Sequence, residues 1–286
     1  MNLETILIQA QELSQKNWLH ALHLLNSAED EYPTDQRLQT LMAELYFMRL
    51  QYSQALKHYL KALSADPGNV NIISSIAHCY LAKGEYRLAL AYYQRIPNPT
   101  IDILYNTGYT LALLGQHKEC IAIMKKILAT LPNHPLVYYL LIEQYFELGE
   151  MDEALYYIKA AEKHAGGQMQ TYQLAGLVYS SKELWVPAYY YYQKVEKMGS
   201  ISNPEHCIRY ANAAHMIGFN EKAIHILTEA QAKWPYISEI YTMLLRLLIQ
   251  EKKMQAAKKV SAQAKQHLAR LTPLLKILIE RVSGEG

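Results

Sequence analysis

Eleven histidines, three cysteines and twenty-four tyrosines supply most of the side chains in this 286-residue chain that could do chemistry. His20 and His23 stand three residues apart, a permissible ligand spacing on one helix, yet no Asp, Glu or Cys completes a set on that face. A metal needs several converging ligands and partners behind them, so this spacing alone predicts none. Cys79, Cys120 and Cys207 are dispersed without a CxxC pair and read as buried thiols of a reducing compartment. Glu143 and Glu147, four apart, could do acid–base work if burial drove their pKa values apart. Nothing around them supplies a nucleophile or an oxyanion hole, and the chain has no Gly-rich phosphate loop, GxSxG or HExxH. The sequence therefore predicts no catalytic residue, no metal and no cofactor.

The elements that must position any binding side chain are written into the chain as a period. Small residues recur at Ala21, Ala55, Ala89, Cys120, Ala154, Ala188, Ala223 and Ala257, with gaps of 34, 34, 31, 34, 34, 35 and 34. Such a period marks stacked copies of one helix–turn–helix unit. Seven positions on come Ala28, Ala62, Ile96, Ile127, Ala161, Val195, Ala230 and Ala264, on the same helical face. An earlier small column, Ala43, Ala77, Gly108, Gly176 and Ala211, marks the first helix of each unit, with Gln9 and Leu245 in that place in the terminal copies. Gly84, Gly115, Gly149 and Gly218 fall between the helices, where a residue of positive φ ends the first one cheaply. Pro33, Pro67, Pro132 and Pro235 stop the second helices. The two prolines of Ile96-Pro97-Asn98-Pro99-Thr100 predict a truncated helix and a tight connection, and Gly166-Gly167 and Met198-Gly199-Ser200-Ile201-Ser202-Asn203 are further irregular joints.

The second unit, with Ala43, Tyr46, Tyr52, Ala55, Tyr59, Ala62, Asp66 and Pro67, carries these columns nearly throughout, and through them the chain resembles the tetratricopeptide repeat family over about residues 2–267. That resemblance implies an all-α fold, a right-handed superhelix of paired antiparallel helices with the first helices lining its concave side. It also implies one array over residues 1–286, with repeats at about 2–35, 36–69, 70–100, 101–134, 135–168, 169–203, 204–237 and 238–267. Leu268, Leu271, Leu274, Leu275, Leu278 and Val282 form an apolar stripe, predicting a capping helix at about 268–283.

In the resembled family, ligands occupy the concave face. Carried over position by position, that places Phe47, His78, Tyr105, Asn106, Tyr109, Tyr139, Glu143, Phe146, Glu147, Arg209 and Asn212 in a peptide-binding groove. Aromatic surface flanked by Glu143 and Glu147 suits an extended or helical peptide with apolar and basic side chains. Packing between helices is the competing role for the same rings. One variant of the family grips a terminal carboxylate with Lys or Arg and Asn; here Leu136 and Leu140 stand where basic residues would be needed, so that clamp is absent.

The formal charge of +2 argues against nucleic acid as a bulk partner. Between Arg246 and Arg281, however, nine Lys or Arg face two Glu, a local +7 that leaves −5 for the remaining chain. That end could take an acidic partner. No segment is apolar enough to span a bilayer, and MNLETILIQAQELSQ lacks the basic lead and unbroken apolar core of a signal peptide, so the expected compartment is the cytoplasm. The functional expectation is a non-enzymatic adaptor or scaffold that binds a protein or peptide. An export or secretion chaperone for an unfolded client, and a self-assembling structural protein, are the alternatives.

Overall fold

The computed structural model describes residues 2–199 and 201–284; Ser200, in the joint between Met198 and Asn203, lies outside them. The described residues are all-α and fall into two compact units, residues 1–131 and 132–286. The first holds α1 (Leu3–Leu13), α2 (Trp18–Glu29), α3 (Gln36–Met48), α4 (Tyr52–Ala65), α5 (Val70–Ala82), α6 (Tyr86–Tyr93), α7 (Ile101–Leu113) and α8 (His117–Thr130). The second holds α9 (Pro135–Glu147), α10 (Met151–His164), α11 (Met169–Ser181), α12 (Trp185–Met198), α13 (Pro204–Met216), α14 (Asn220–Lys233), α15 (Ser238–Gln250), α16 (Met254–His267) and α17 (Pro273–Ser283). Within each unit every helix packs on its successor, and in the second unit α9, α11, α13 and α15 also touch in turn, making a row of first helices.

The small columns are where helices meet. Ala43, Ala55, Ala77, Ala154, Ala188, Ala211, Ala223 and Ala257 are all fully buried. The large residues beside them fill the space, with Tyr192, Tyr210 and Tyr241 the bulkiest side chains almost wholly withdrawn from water. The run Tyr189–Tyr192 divides as its helical spacing predicts: Tyr191 and Tyr192 are buried and Tyr190 is exposed. Second helices are also tied to each other by polar rungs at one repeated position. Lys61 Nζ donates to Glu29 Oε1 and Lys194 Nζ to Glu162 Oε1, both at 2.7 Å, while the same rung in the last pairs is Gln231 Nε2 donating to Gln263 Oε1 at 3.0 Å.

Turns within seven of the eight pairs follow one design. The N–H after the turn residue bonds back five positions, as from Gln51 to Tyr46 O and from Glu85 to Tyr80 O, both at 2.9 Å. This double-bonded helix end requires a left-handed residue. Gly84, Gly115, Gly149 and Gly218 supply it, but in three turns Leu50, Glu183 and Lys252 do, at φ of 60°, 56° and 57°. A side chain there costs about 1–2 kcal/mol relative to glycine, offset in part by the entropy glycine loses on folding. Leu50 is 71% exposed and so surrenders little burial. Leu50→Gly should therefore stabilise the chain by about 1 kcal/mol, read as a higher urea midpoint; an unchanged or lower midpoint would refute this reading of the turn.

Three expectations need correction. In the first pair no described residue from 14 to 17 is left-handed, so the turn is built differently and the register moves by one: Ala10 is fully buried and Gln9 exposed. The last helix starts at Pro273, after the Thr272 side chain caps Leu275 N, rather than near 268. Its buried face is Leu275, Leu278, Ile279 and Val282, whereas Leu274 is exposed. Finally, Leu140 is buried in the core and forms no part of an exposed first-helix surface, while Leu136 is exposed. The short α6, only eight residues long, ends as the two prolines at 97 and 99 predict.

Candidate functional site

Side chains with half-exposed aromatic or polar ends lie on the first helix of successive pairs, held there by the buried columns on the opposite face. In the first unit these are Phe47 on α3, His78 on α5, and Tyr105, Asn106 and Tyr109 on α7. Phe47 is partly absorbed into packing, edge-on to Tyr52 at 5.4 Å. His78 lies edge-on to Tyr93, and Asn106 Nδ2 donates to its Nε2 at 2.9 Å, joining α5 to α7. That bond needs an unprotonated Nε2, and burial lowers the His78 pKa, favouring the neutral ring. Tyr105 and Tyr109 lie parallel, their ring centroids 6.5 Å apart and planes 4° apart, with Tyr109 exposed. They present a flat aromatic step one helical turn long.

In the second unit, Tyr139, Glu143, Phe146 and Glu147 line one recess of about 200 Å³, facing Gln170, Gln173, Leu177 and His206 from α11 and α13. Tyr139 Oη donates to Glu143 Oε1 at 3.1 Å, and Gln144 Nε2 to Oε2 at 3.4 Å. Burial, reinforced by the Glu147 charge, raises the Glu143 pKa against the lowering effect of Tyr139. Glu147 is exposed, so the pair is one desolvated and one solvated carboxylate rather than two equal surface charges. The folded state therefore holds the Glu143 proton more tightly than the unfolded chain does. Stability falls as pH rises from the ordinary glutamate range through the raised value, and the cost is fully present above it. Glu143→Gln should flatten this slope and stabilise the chain at neutral pH; thermal melts at pH 4 and pH 7 would show it, and equal pH sensitivity in both proteins would contradict it.

Arg209 and Asn212 belong to a larger cavity of about 860 Å³ between α13 and α15. Ile208, Met243 and Leu247 form its apolar wall, and Arg209, Asn212, His215, Glu239 and Arg246 bring polar groups to it. Arg209 is already engaged by Glu205, Nε to Oε1 at 3.1 Å. His215 is fixed by Asn220 at 2.6 Å, which in turn donates to Glu251 at 2.7 Å. The sequence did not single out Met243, Thr242 or Gln250. Their spacing from Glu239 and Arg246, at three and four residues, is the signal that would have found them.

Among the described residues, no three His, Cys, Asp or Glu side chains gather as a metal site requires, and no helix is long and apolar enough to cross a membrane. The three cysteines are buried and none of them forms a disulfide among the described residues, with burial pushing Cys79 up to about 12 and Cys207 to about 11. Thiolates, the reactive form, are thus disfavoured at both.

Residues 51–102 match a family model described as tetratricopeptide repeat. No curated protein matches the sequence. Solved structures share the fold. A tetratricopeptide repeat protein from Parabacteroides merdae aligns at 12% identity over 87% of this chain and 98% of its own, with a TM-score of 0.61. Pseudomonas aeruginosa pilF aligns at 16% identity over 73% of this chain and 95% of its own, with a TM-score of 0.55. A chain of the APC/C hetero-tetramer Cut9–Hcn1 aligns at 13% identity over 97% of this chain and 55% of its own, with a TM-score of 0.57.

Proposed function

We propose that this chain, a tetratricopeptide-repeat protein, is a non-catalytic adaptor that holds a peptide or partner protein against its first helices. The observation that carries the reading is the cavity between α13 and α15, where an apolar wall meets several polar side chains able to fix a ligand's orientation. The Tyr105–Tyr109 step and the Tyr139–Glu143 recess are, on this reading, further contacts for the same class of ligand. The row of first helices α9, α11, α13 and α15 would give such a ligand an extended seat. Buried cysteines outside any disulfide fit a reducing compartment, and we place the protein in the cytoplasm.

The test is affinity capture from the native host's lysate with mass spectrometry. It compares the wild type with Asn212→Trp, which fills the cavity, and with the Tyr105/Tyr109/Tyr139→Ala triple variant. A protein captured by wild type and lost with either variant, while helicity is unchanged, supports the adaptor reading. Recovery of the same protein by all three forms refutes the assignment to these surfaces. Self-association is favoured by Leu274 and Ile277, 48% and 60% exposed on α17. Light scattering across concentration would separate that role, since an adaptor's mass stays constant.

A further inference from the structure

A second groove lies between α14 and α16, lined mainly by these second helices, with Tyr241 and Leu248 of the first helix α15 at its base. It has a volume of about 550 Å³, with Ile224, Leu248 and Val260 as its apolar floor and Thr228, Lys253 and Lys259 at its edge. Its distinguishing property is charge. No acidic side chain lines it, whereas Glu205 and Glu239 line the α13/α15 cavity and Glu143 and Glu147 the recess beside α9. The cause is visible in the rung that crosses it. Where Glu29 with Lys61 and Glu162 with Lys194 pair off elsewhere, Gln231 and Gln263 bond to each other here, and no carboxylate is left in the groove. Lys253 is held by Glu221 at 2.6 Å, but Lys259, which is exposed, has no ion pair among the described residues. α16 as a whole bears Lys258, Lys259 and Lys265 and no Asp or Glu.

We propose that this groove binds a short acidic segment of a partner protein, which seats one apolar side chain on Ile224 and Val260 and sets its carboxylates against Lys259. The proposal rests on reading the chain as a protein-binding array but uses a different face. A peptide fits better than other polyanions. A nucleic-acid backbone is held by rows of cations neutralising successive phosphates. A membrane surface takes protruding apolar residues, whereas Leu248 and Val260 are buried in the floor.

The test uses the intact chain and an array of short Asp/Glu-rich peptides carrying one Leu or Phe at each register, followed by fluorescence anisotropy on the tightest binder. Lys259→Glu reverses the charge, and Ala256→Trp fills the groove from an exposed position on its wall. Each should weaken binding about tenfold or more. Asn212→Trp should leave it unchanged, so failure here and failure of the first-helix reading are told apart. The proposal falls if no peptide of the array binds, or if the binder is indifferent to both variants. It falls equally if phosphatidylserine vesicles or a DNA duplex bind through Lys259 while the peptides do not.

Discussion

Gly176→Ala will destabilise the chain, although alanine is the better helix former by about 1 kcal/mol. A Cβ at Gly176 would stand 2.6 Å from Tyr192 Cζ and 2.8 Å from both Cε atoms. The ring cannot swing aside. It is fully buried, with Tyr210 at 5.5 Å and His206 at 6.0 Å between centroids. Overpacking of this kind typically costs about 1–3 kcal/mol, more than the helix propensity returns. Tyr192→Ala should cost about 3–5 kcal/mol through the cavity it leaves. The two effects are one contact seen from either side, so Gly176→Ala should be neutral or stabilising once Tyr192 is Ala. Urea midpoints of the two single variants and the double variant measure that coupling. Gly108→Ala is the internal control. Its Cβ meets chiefly the terminal methyl of Met124, the movable end of a flexible side chain, so it should cost markedly less. Equal losses at Gly108 and Gly176 would show that helix-to-helix spacing, rather than the Tyr192 ring, sets the penalty.

That contact also shows what the sequence makes legible. Gly176 and Tyr192 both sit in columns visible from the 34-residue spacing, because close helix approach permits only small residues and the gap beside them needs a large one. Turn glycines were legible for a similar reason, since left-handed backbone favours glycine. Leu50, Glu183 and Lys252 were not, because the turn's hydrogen bonds hold that conformation against the residue's own preference. Ala10 and Gln9 exchanged roles because the first turn departs from that design, a feature no small-residue column records. Among the candidate binding residues, Arg209 and Asn212 lie in a cavity, whereas Phe47 and His78 are shared with packing partners. Periodicity assigns a face of a helix. It does not say how far the neighbouring helix covers that face, and side-chain length decides the rest.

Asn212→Trp should have the largest effect on partner binding, because of where the residue sits. Asn212 is half-buried on α13 and lines the cavity opposite Glu239 and Arg246 of α15. An indole there occupies the space that a ligand's anchoring side chain would need, without adding a Cβ to any buried helix contact. Anchors in well-packed, desolvated pockets dominate binding energy, commonly by 2 kcal/mol or more each, so affinity should fall at least about thirtyfold. Arg246→Ala, by contrast, removes an exposed charge that has no ion pair among the described residues, and should mainly slow association and reduce its salt dependence. Surface plasmon resonance with the captured partner separates the two: faster dissociation for Asn212→Trp, slower association for Arg246→Ala. If both variants slow association alone, the partner is steered by this surface but anchored elsewhere. The Tyr105–Tyr109 step of the first unit then becomes the site to remove next, since the exposed Tyr109 ring and the half-buried Tyr105 ring parallel to it form another first-helix surface able to seat an anchor.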